Sequence, residues 1–550
     1  MIEFAVDGAS KPRWYDGVWM QRKNKSRSNV TGVVFFLVVL FLVGLGIRLI
    51  GLDFGTPLIV HPDEENVVKS AVNFVPANDF EGVAYNRPAQ VQVELNAIVI
   101  RLYSQLRWHV SMYETYYDNE FIYFVVARFL TAILGALIPV VAFFIGKQFK
   151  PDFSVAAGLI FCFFPSYIKH SHYVTPDISI TLWTLLVTLF AICYAQGKSK
   201  IFLWLAVLFT AVNTADKYPG ILSSLMVFGA LILRFSAEKK TSGHFETKRF
   251  ILTTFGSLIA FFGFLFLVAP NLYLHFDKVV EALIHESNPS HLGADNLPYH
   301  MLLLQYVKYF ASYANWVLIG LVGAGTVGLV VTKQKSGLFF LYGIVYCLLL
   351  NVVGKYFERW ALPMYTSPLL AASFGAAWLI DLIKSKRPIL WLLRATLLVG
   401  LLLLALDGLT ESVYLSLPDT RTVSQAFLDQ NGIVKENSYF DGYTPFSPRD
   451  FSFTTDFDPD NPGNKQFAIL SSMHYKRYFM NPERSVKEIE FYTKIRQNAQ
   501  LIEEFKPIYT PVTISQHWHL VEHVFRRVVL KQPSTPYYNG PILEIYKFPE

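Results

Sequence analysis

Charge is scarce in this chain. Only 16% of its 550 residues are Asp, Glu, Lys or Arg, against roughly 25% in soluble domains, which need charge to cover a wetted surface. That shortage, with 53% hydrophobic residues arranged in long runs, excludes an ordinary water-soluble globular protein and points to a chain that spans a bilayer many times. Cysteine is almost missing too. Cys162, Cys193 and Cys347 each lie in or at the end of an apolar run, and none sits at metal-ligand spacing, which excludes a disulfide framework and cysteine-bound zinc. No Ala-x-Ala-like cleavage site follows the first apolar run, so that run is expected to stay as an anchor. A solenoid period is absent. The net charge of +6 falls on no basic face interleaved with stacking aromatics, so nucleic acid is not an expected partner.

What is present is apolar and periodic on the scale of a membrane. A bilayer core takes about 20 apolar residues per helix. Spans are expected near 32–52, 121–146, 153–169, 177–196, 200–214, 218–235, 250–270, 313–332, 337–354, 361–382 and 388–408, about eleven in all. The N-terminal tail, residues 1–31, is basic (Lys11, Arg13, Arg22, Lys23, Lys25, Arg27) and is placed in the cytoplasm by the positive-inside rule. Even-numbered spans then return to loops that are all Lys/Arg-rich: Lys147/Lys150, Lys198/Lys200, Arg234 to Arg249, Lys333/Lys335 and Lys384/Lys386/Arg387. The opposite face receives the loop 53–120, the loop 271–312 and a tail, residues 409–550, long enough to be a domain. The expected fold is therefore a polytopic α-helical membrane domain, 32–408, followed by an extracytoplasmic α/β domain. In that tail, 438–440, 467–470 and 542–546 read as strands and 484–505 as a helix. Its aromatics Tyr439, Tyr443, Phe446 and Trp518 suit sugar or protein contacts equally.

The first outer loop carries His61-Pro62-Asp63-Glu64-Glu65. Proline suits the start of a helix and carboxylates its first turn, and the apolar spacing of Val67, Val68, Ala71, Val72 and Phe74 predicts an amphipathic helix on the membrane surface. A second such helix is expected over 89–110. The carboxylates read in two ways: as caps of a surface helix, or as a general base whose proton affinity is raised beside apolar groups. Further polar sets lie at the outer ends of later spans: Lys169 to Asp177, Asn213 to Gly220 and Lys355 to Trp360. Each alone reads as a solvated loop or an interfacial anchor. Gathered on one face they suggest a polar cleft.

In chain order, the stretches RLIGLDFGTP, HPDEE, SHYVTPD, DKYPG and ERWALPMYTSPLLAA resemble the GT-C glycosyltransferases of the protein O-mannosyltransferase-like and aminoarabinose-transferase-like group. The resemblance covers most of 32–408. It implies a polyprenyl-phosphate-sugar donor and a site between the first outer loop and the outer span ends. It also implies an acidic residue of that loop that activates the acceptor, which maps onto Asp63 or Glu64, with Asp63 preferred. No inserted β-trefoil-like domain of the eukaryotic mannosyltransferases is visible, which favours a bacterial or archaeal enzyme acting on a glycan, lipid or protein at the plasma (inner) membrane.

The chemistry fits this resemblance. A hydroxyl attacking an anomeric carbon needs a base, and a lipid phosphate leaving with growing negative charge needs cations. Lys217 and Arg359 are the first candidates, with Arg48 and Arg87 behind them. His61, His172, Asp177 and Tyr218 complete the candidate substrate-binding set. Arg48 stands inside an apolar run, where an unpaired cation is costly, so Asp63 or Asp177 is its expected partner. One displacement with one base inverts the anomeric centre. No metal is required. Some members of the group use a divalent ion, and His61, Asp63, His170, His172 and Asp177 are the residues that could bind one. The alternatives are a transporter or flippase of lipid-linked sugar, which would show mid-span charges and paired halves, and a non-catalytic scaffold.

Overall fold

The computed structural model describes residues 30–74, 85, 88–287, 297–350, 354–450, 457–480, 482–508 and 537–549. The basic tail before Val30, Arg87 and Trp518 lie outside the described residues. Among those described, seven helices are long and apolar enough to cross a membrane: Val30–Leu49, Glu120–Lys147, Pro176–Ala195, Tyr218–Ser242, Thr247–Val268, Glu358–Ile383 and Arg387–Leu415. Four shorter apolar helices, Pro151–Phe163, Ile201–Asp216, Trp316–Val331 and Phe339–Leu350, lie on the remaining expected segments. The last span runs on to Leu415, past the expected end at 408.

Lipid is the solvent these helices are built for. Phe35, Trp391 and Leu392 are each 69% exposed, large apolar groups that water would not tolerate in such numbers on one protein. Where helices meet, small residues let their backbones approach. A Cβ on Gly325 would lie 1.8 Å from the carbonyl oxygen of Ala371, and one on Gly375 would lie 2.4 Å from that of Leu321, so the helices Trp316–Val331 and Leu362–Ile383 pack as membrane helices with small-residue seams do.

The Lys/Arg-rich loops share one end of the bundle. There Lys150 reaches Asp381 at 2.6 Å, Gln196 donates to the Gln148 carbonyl at 3.0 Å, and Arg249 pairs with Glu238 at 3.1 Å. The loop between the first two spans, the turns at 170–177 and 216–220, and residues 355–360 gather at the other end. The loop helices Glu64–Asn73 and Gln90–Trp108 bury Val67, Val68, Ala71, Val93, Ala97 and Ile100 against Tyr123, Phe124 and Ala127 of the second span. Helix Gln90–Trp108 leaves Ile98, Leu102 and Leu106 more than half exposed, the apolar stripe of a helix lying along a membrane.

The C-terminal domain holds a four-stranded sheet: β1 (Ser438–Phe440), β2 (Phe467–Ser471), β3 (Gln500–Phe505) and β4 (Leu543–Lys547). The order is β1-β2-β4-β3, with β1 parallel to β2 and the other pairs antiparallel. Ala468 and Leu470 face one core with Tyr492 and Ile495. Phe467 and Ile469 face another with Leu428 and Ile433. The expected helix over 484–505 is instead helix Val486–Asn498 followed by strand β3. Residues 500–505 pair with β4, and that long-range pairing overrides the helical reading of a charged run. Helices Thr420–Gln430 and Ser472–Phe479 were not expected. The domain is tied to the loop between the first two spans: Thr422 donates to the Gly55 carbonyl at 3.0 Å, Arg421 to that of Val60 at 3.0 Å, and Arg449 pairs with Glu65 at 3.1 Å.

Candidate active site

Adjacent carboxylates of the loop between the first two spans meet different surroundings. Glu64 is fully buried and forms a two-pronged ion pair with Arg128, at 2.9 Å to Oε1 and 2.7 Å to Oε2. Its Oε1 also accepts the backbone N–H of Val174 at 3.1 Å. Arg128 Nη1 donates to the carbonyls of Leu52 and Phe54, and the guanidinium lies 3.6 Å above the Phe54 ring. Glu64 is thus a structural pin joining loop, second span and fourth-span approach, and its candidacy as the base falls: neither oxygen is open to an incoming hydroxyl. Arg128 stands within the second apolar run, the same signal that singled out Arg48, and it escaped notice in the sequence.

Asp63, one residue earlier, faces open space. Its Oδ2 pairs with Arg359 Nη1. Arg359 comes from the turn Glu358–Ala361 before the helix Leu362–Ile383, and its Nε lies 3.9 Å from Asp177 Oδ2. Asp177, in the first turn after Pro176, accepts from Lys217 Nζ at 2.6 Å. Lys217 ends helix Ile201–Asp216, and its ammonium lies 5.5 Å from the Trp360 ring centre. The turn that follows lies tight against the helix end: a Cβ on Gly220 would come within 2.2 Å of the Asn213 carbonyl oxygen. Four residues from four distant motifs therefore alternate in charge, Asp63, Arg359, Asp177, Lys217.

Their supports are equally specific. Glu358 accepts from Lys169 at 3.0 Å, His170 at 3.0 Å and Tyr313 at 2.6 Å, which fixes the backbone just before Arg359. Asp216 accepts from Trp183 at 2.7 Å and from the Gln92 N–H at 2.9 Å, holding the loop helix Gln90–Trp108 to the end of helix Ile201–Asp216. Tyr218 donates to the Tyr85 carbonyl at 2.6 Å.

This row of charges borders two cavities. One, of about 350 Å³, is lined by Asp177, Lys217 and Tyr218 and walled by apolar groups such as Leu283, Tyr346 and Leu350. The other, of about 960 Å³, opens between the loop and the C-terminal domain and is lined by His61, Tyr173, Tyr443 and Arg477 among others. Asp63, Asn66 and Arg359 line both. Asn66 and Glu286, at the edge of the smaller cavity, carried no distinguishing sequence pattern.

The remaining candidates separate. His61 stacks on Tyr173 with ring centres 4.4 Å apart. Burial lowers its pKa, against the opposing pull of Glu64 and Asp63. Burial also raises the Tyr173 hydroxyl to about 12. His172 lines neither cavity. Its nitrogens face the carbonyls of Ile168 and Ile50, each at 2.9 Å, and burial pushes its pKa down to about 4. Arg48 has neither Asp63 nor Asp177 as a partner. It donates to Ser171 Oγ at 3.0 Å and to the Gly44 and Cys162 carbonyls, because Gly135 leaves room for Ser171 against the first span: a Cβ there would lie 2.1 Å from Ser171 Oγ and 3.0 Å from Arg48 Nε. His61, Asp63, His170, His172 and Asp177 do not converge as a ligand set, and among the described residues no group of three or more His, Cys, Asp or Glu could hold a metal ion.

A bundle of apolar helices with a charged cleft at one end is the arrangement that the resemblance to multi-pass membrane glycosyltransferases implied. Residues 38–280 match the family described as dolichyl-phosphate-mannose-protein mannosyltransferase, which bears out the resemblance to the GT-C glycosyltransferases. The matched stretch contains Asp63, Asp177 and Lys217 and ends before Arg359 and the C-terminal domain. No curated protein matches the chain. Among solved structures, it is similar to the crystal structure of ArnT from Cupriavidus metallidurans in the apo state, at 13% identity and a TM-score of 0.49. It is also similar to the same protein bound to undecaprenyl phosphate, at 14% identity and a TM-score of 0.47. In both cases 82% of this chain and 95% of that chain are covered.

Proposed function

We propose that this protein transfers a sugar from a polyprenyl-phosphate-linked donor to an acceptor hydroxyl at the outer face of the plasma (inner) membrane, with its N-terminus in the cytoplasm. The observation that carries the reading is the Asp63–Arg359 pair on the wall common to two cavities. The apolar-walled cavity suits a lipid-linked donor: its phosphate lies between Lys217 and Arg359, and its chain leaves along Leu283, Tyr346 and Leu350. The wider chamber suits the acceptor, a glycan, lipid or protein.

In this reading the acceptor oxygen attacks the anomeric carbon. The bond from that carbon to the phosphate oxygen breaks, and its electron pair stays with the leaving polyprenyl phosphate. Asp63 takes the hydroxyl proton. Lys217 and Arg359 hold the charge that develops on the phosphate, a contribution that fixed cations make best in a cleft of low polarity. Donor phosphate competes with Asp63 for Arg359, so a bound donor frees the carboxylate for its proton. One displacement with one base inverts the anomeric centre. These cations make a metal ion unnecessary, and chelation is expected to leave turnover unchanged.

The test is sugar transfer by the full-length protein in membranes, from a lipid-phosphate-sugar donor, with Asp63→Asn beside the wild type. Loss of transfer with normal folding supports the reading. Normal turnover in the variant, or movement of intact donor across the membrane without transfer, overturns it.

A further inference from the structure

The chamber wall opposite Asp63 belongs to the C-terminal domain, and its charges are unequal. Four arginines line the chamber: Arg359, Arg421, Arg449 and Arg477. Three meet carboxylates. Arg359 pairs with Asp63, Arg421 with Asp419 at 2.7 Å, and Arg449 with Glu65 at 3.1 Å. Arg477 differs. Its Nη2 donates to the Tyr443 hydroxyl at 3.0 Å, its guanidinium stands 5.1 Å from the Tyr443 ring centre, and among the described residues no carboxylate lies within ion-pair distance of it. An arginine with donors to spare on a concave wall is a ready partner for a planar or tetrahedral anion.

The base beneath Arg477 is strained and braced. Tyr443 holds φ at +61°, a left-handed conformation that costs a bulky residue free energy and persists only where surroundings enforce it. Here they do. The Tyr443 N–H donates to the Ser447 carbonyl at 2.8 Å, and Thr444 donates to the Asp441 carbonyl at 2.7 Å. Asp441 is buried and accepts from Tyr439, Tyr492 and the Ser471 N–H at 2.9–3.0 Å. The network anchors the loop to the sheet, so that the Tyr443 hydroxyl and ring set the direction of Arg477. Phe446 beside it, with His61 and Tyr173 across the chamber, supplies ring faces of the kind that sugar C–H faces pack on.

We propose that Arg477, oriented by Tyr443, forms a subsite for an anionic saccharide acceptor: a sugar carrying a carboxylate or a phosphate near the hydroxyl that is glycosylated. The inference rests on the reading of this chamber as the acceptor side. The charged substituent bonds Arg477, and the acceptor hydroxyl is thereby turned toward Asp63 on the opposite wall. Arg477 is a specificity residue here, apart from the proton transfer.

Equilibrium binding to the full-length protein in detergent, without donor, tests it with three matched alkyl glycosides: a neutral one, its uronic acid and its phosphorylated form. At least one charged form is expected to bind tenfold or more tightly than the neutral one, and which of them does so identifies the anion. Arg477→Gln removes the advantage, Arg477→Lys keeps part of it, and Arg477→Glu shifts preference to an aminosugar glycoside. That last gain cannot come from misfolding. The inference is overturned if the neutral glycoside binds as tightly as both charged ones, if none of the three binds, if Arg477→Gln keeps the advantage, or if free inorganic phosphate binds as well as the phosphorylated glycoside. Because no donor is present, these outcomes are independent of whether Asp63→Asn still turns over.

Discussion

Asp63 and Glu64 are neighbours in the chain and opposites in the structure. Glu64 lies on the buried side of the loop between the first two spans with both oxygens committed to Arg128 and the Val174 N–H. Asp63 lies on the outer side with Arg359 as its ion-pair partner at a wall shared by two cavities. Both are carboxylates paired with arginine. The difference is what can replace the partner. Glu64 is fully buried, so its pair is sealed, whereas in the proposed reaction the donor phosphate in the smaller cavity draws Arg359 away from Asp63. A pair that a substrate can open belongs to chemistry, and a sealed one belongs to the fold.

The sharpest way to break this comparison is to neutralise each carboxylate in place. Asp63→Asn keeps the size of the side chain and removes the proton acceptor, so transfer is expected to fall by about 10²–10⁴-fold, the range that general bases contribute, with an unchanged melting temperature. Glu64→Gln should do the reverse in kind. It leaves Arg128 buried without its counter-charge, at a cost of about 3–5 kcal/mol, and yield and melting temperature of the purified protein should drop sharply. Restored stability in Glu64→Gln combined with Arg128→Met would confirm that the penalty is the orphaned cation. An equal loss of stability in both single variants would erase the distinction between the two sides of the loop.

The sequence made one half of this comparison readable and hid the other. The loop, its two surface helices and the meeting of Asp63, Asp177, Lys217 and Arg359 followed from apolar run lengths, basic loops and short motifs, all of them local signals. Which carboxylate is sealed did not follow, because it depends on Arg128 and on the backbone of residue 174, contacts made across the fold. The same holds for Arg48, where run and charge announced a buried partner but only packing could select Ser171. In the tail, residues 500–505 carry two glutamates and a lysine follows them, a pattern that local reading extends into a helix, and strand pairing with Leu543–Lys547 decides otherwise. Tyr443 and Arg477 are farther still from sequence, since a left-handed tyrosine has no compositional mark.

Smaller effects sharpen the division between cavity and support. Lys217 reaches Asp177 and borders the smaller cavity, so Lys217→Met should raise the donor KM by about tenfold, as expected for a lost charge-assisted contact, and leave the acceptor KM in place. Initial rates with each substrate varied in turn separate the two. An increase confined to the acceptor KM would move the phosphate out of this cavity.

His172 tests the sealed side by pH. Burial holds its pKa near 4, below the ordinary 6.5, against two backbone carbonyls that favour its charged form. Above 6.5 neither the folded nor the unfolded chain carries the proton, and this histidine adds no pH dependence. As pH falls below 6.5 the unfolded chain binds a proton that folded His172 refuses, so stability declines until the folded pKa is reached. At pH 5.5 the loss is about 1 kcal/mol. Melting of the detergent-solubilised protein at about pH 7 and pH 5.5, in wild type and His172→Asn, isolates this share, because the variant has no proton to refuse. An equal drop in both would place the acid sensitivity elsewhere, and then the pin between the end of the first span and residues 168–172 would be held by the backbone alone.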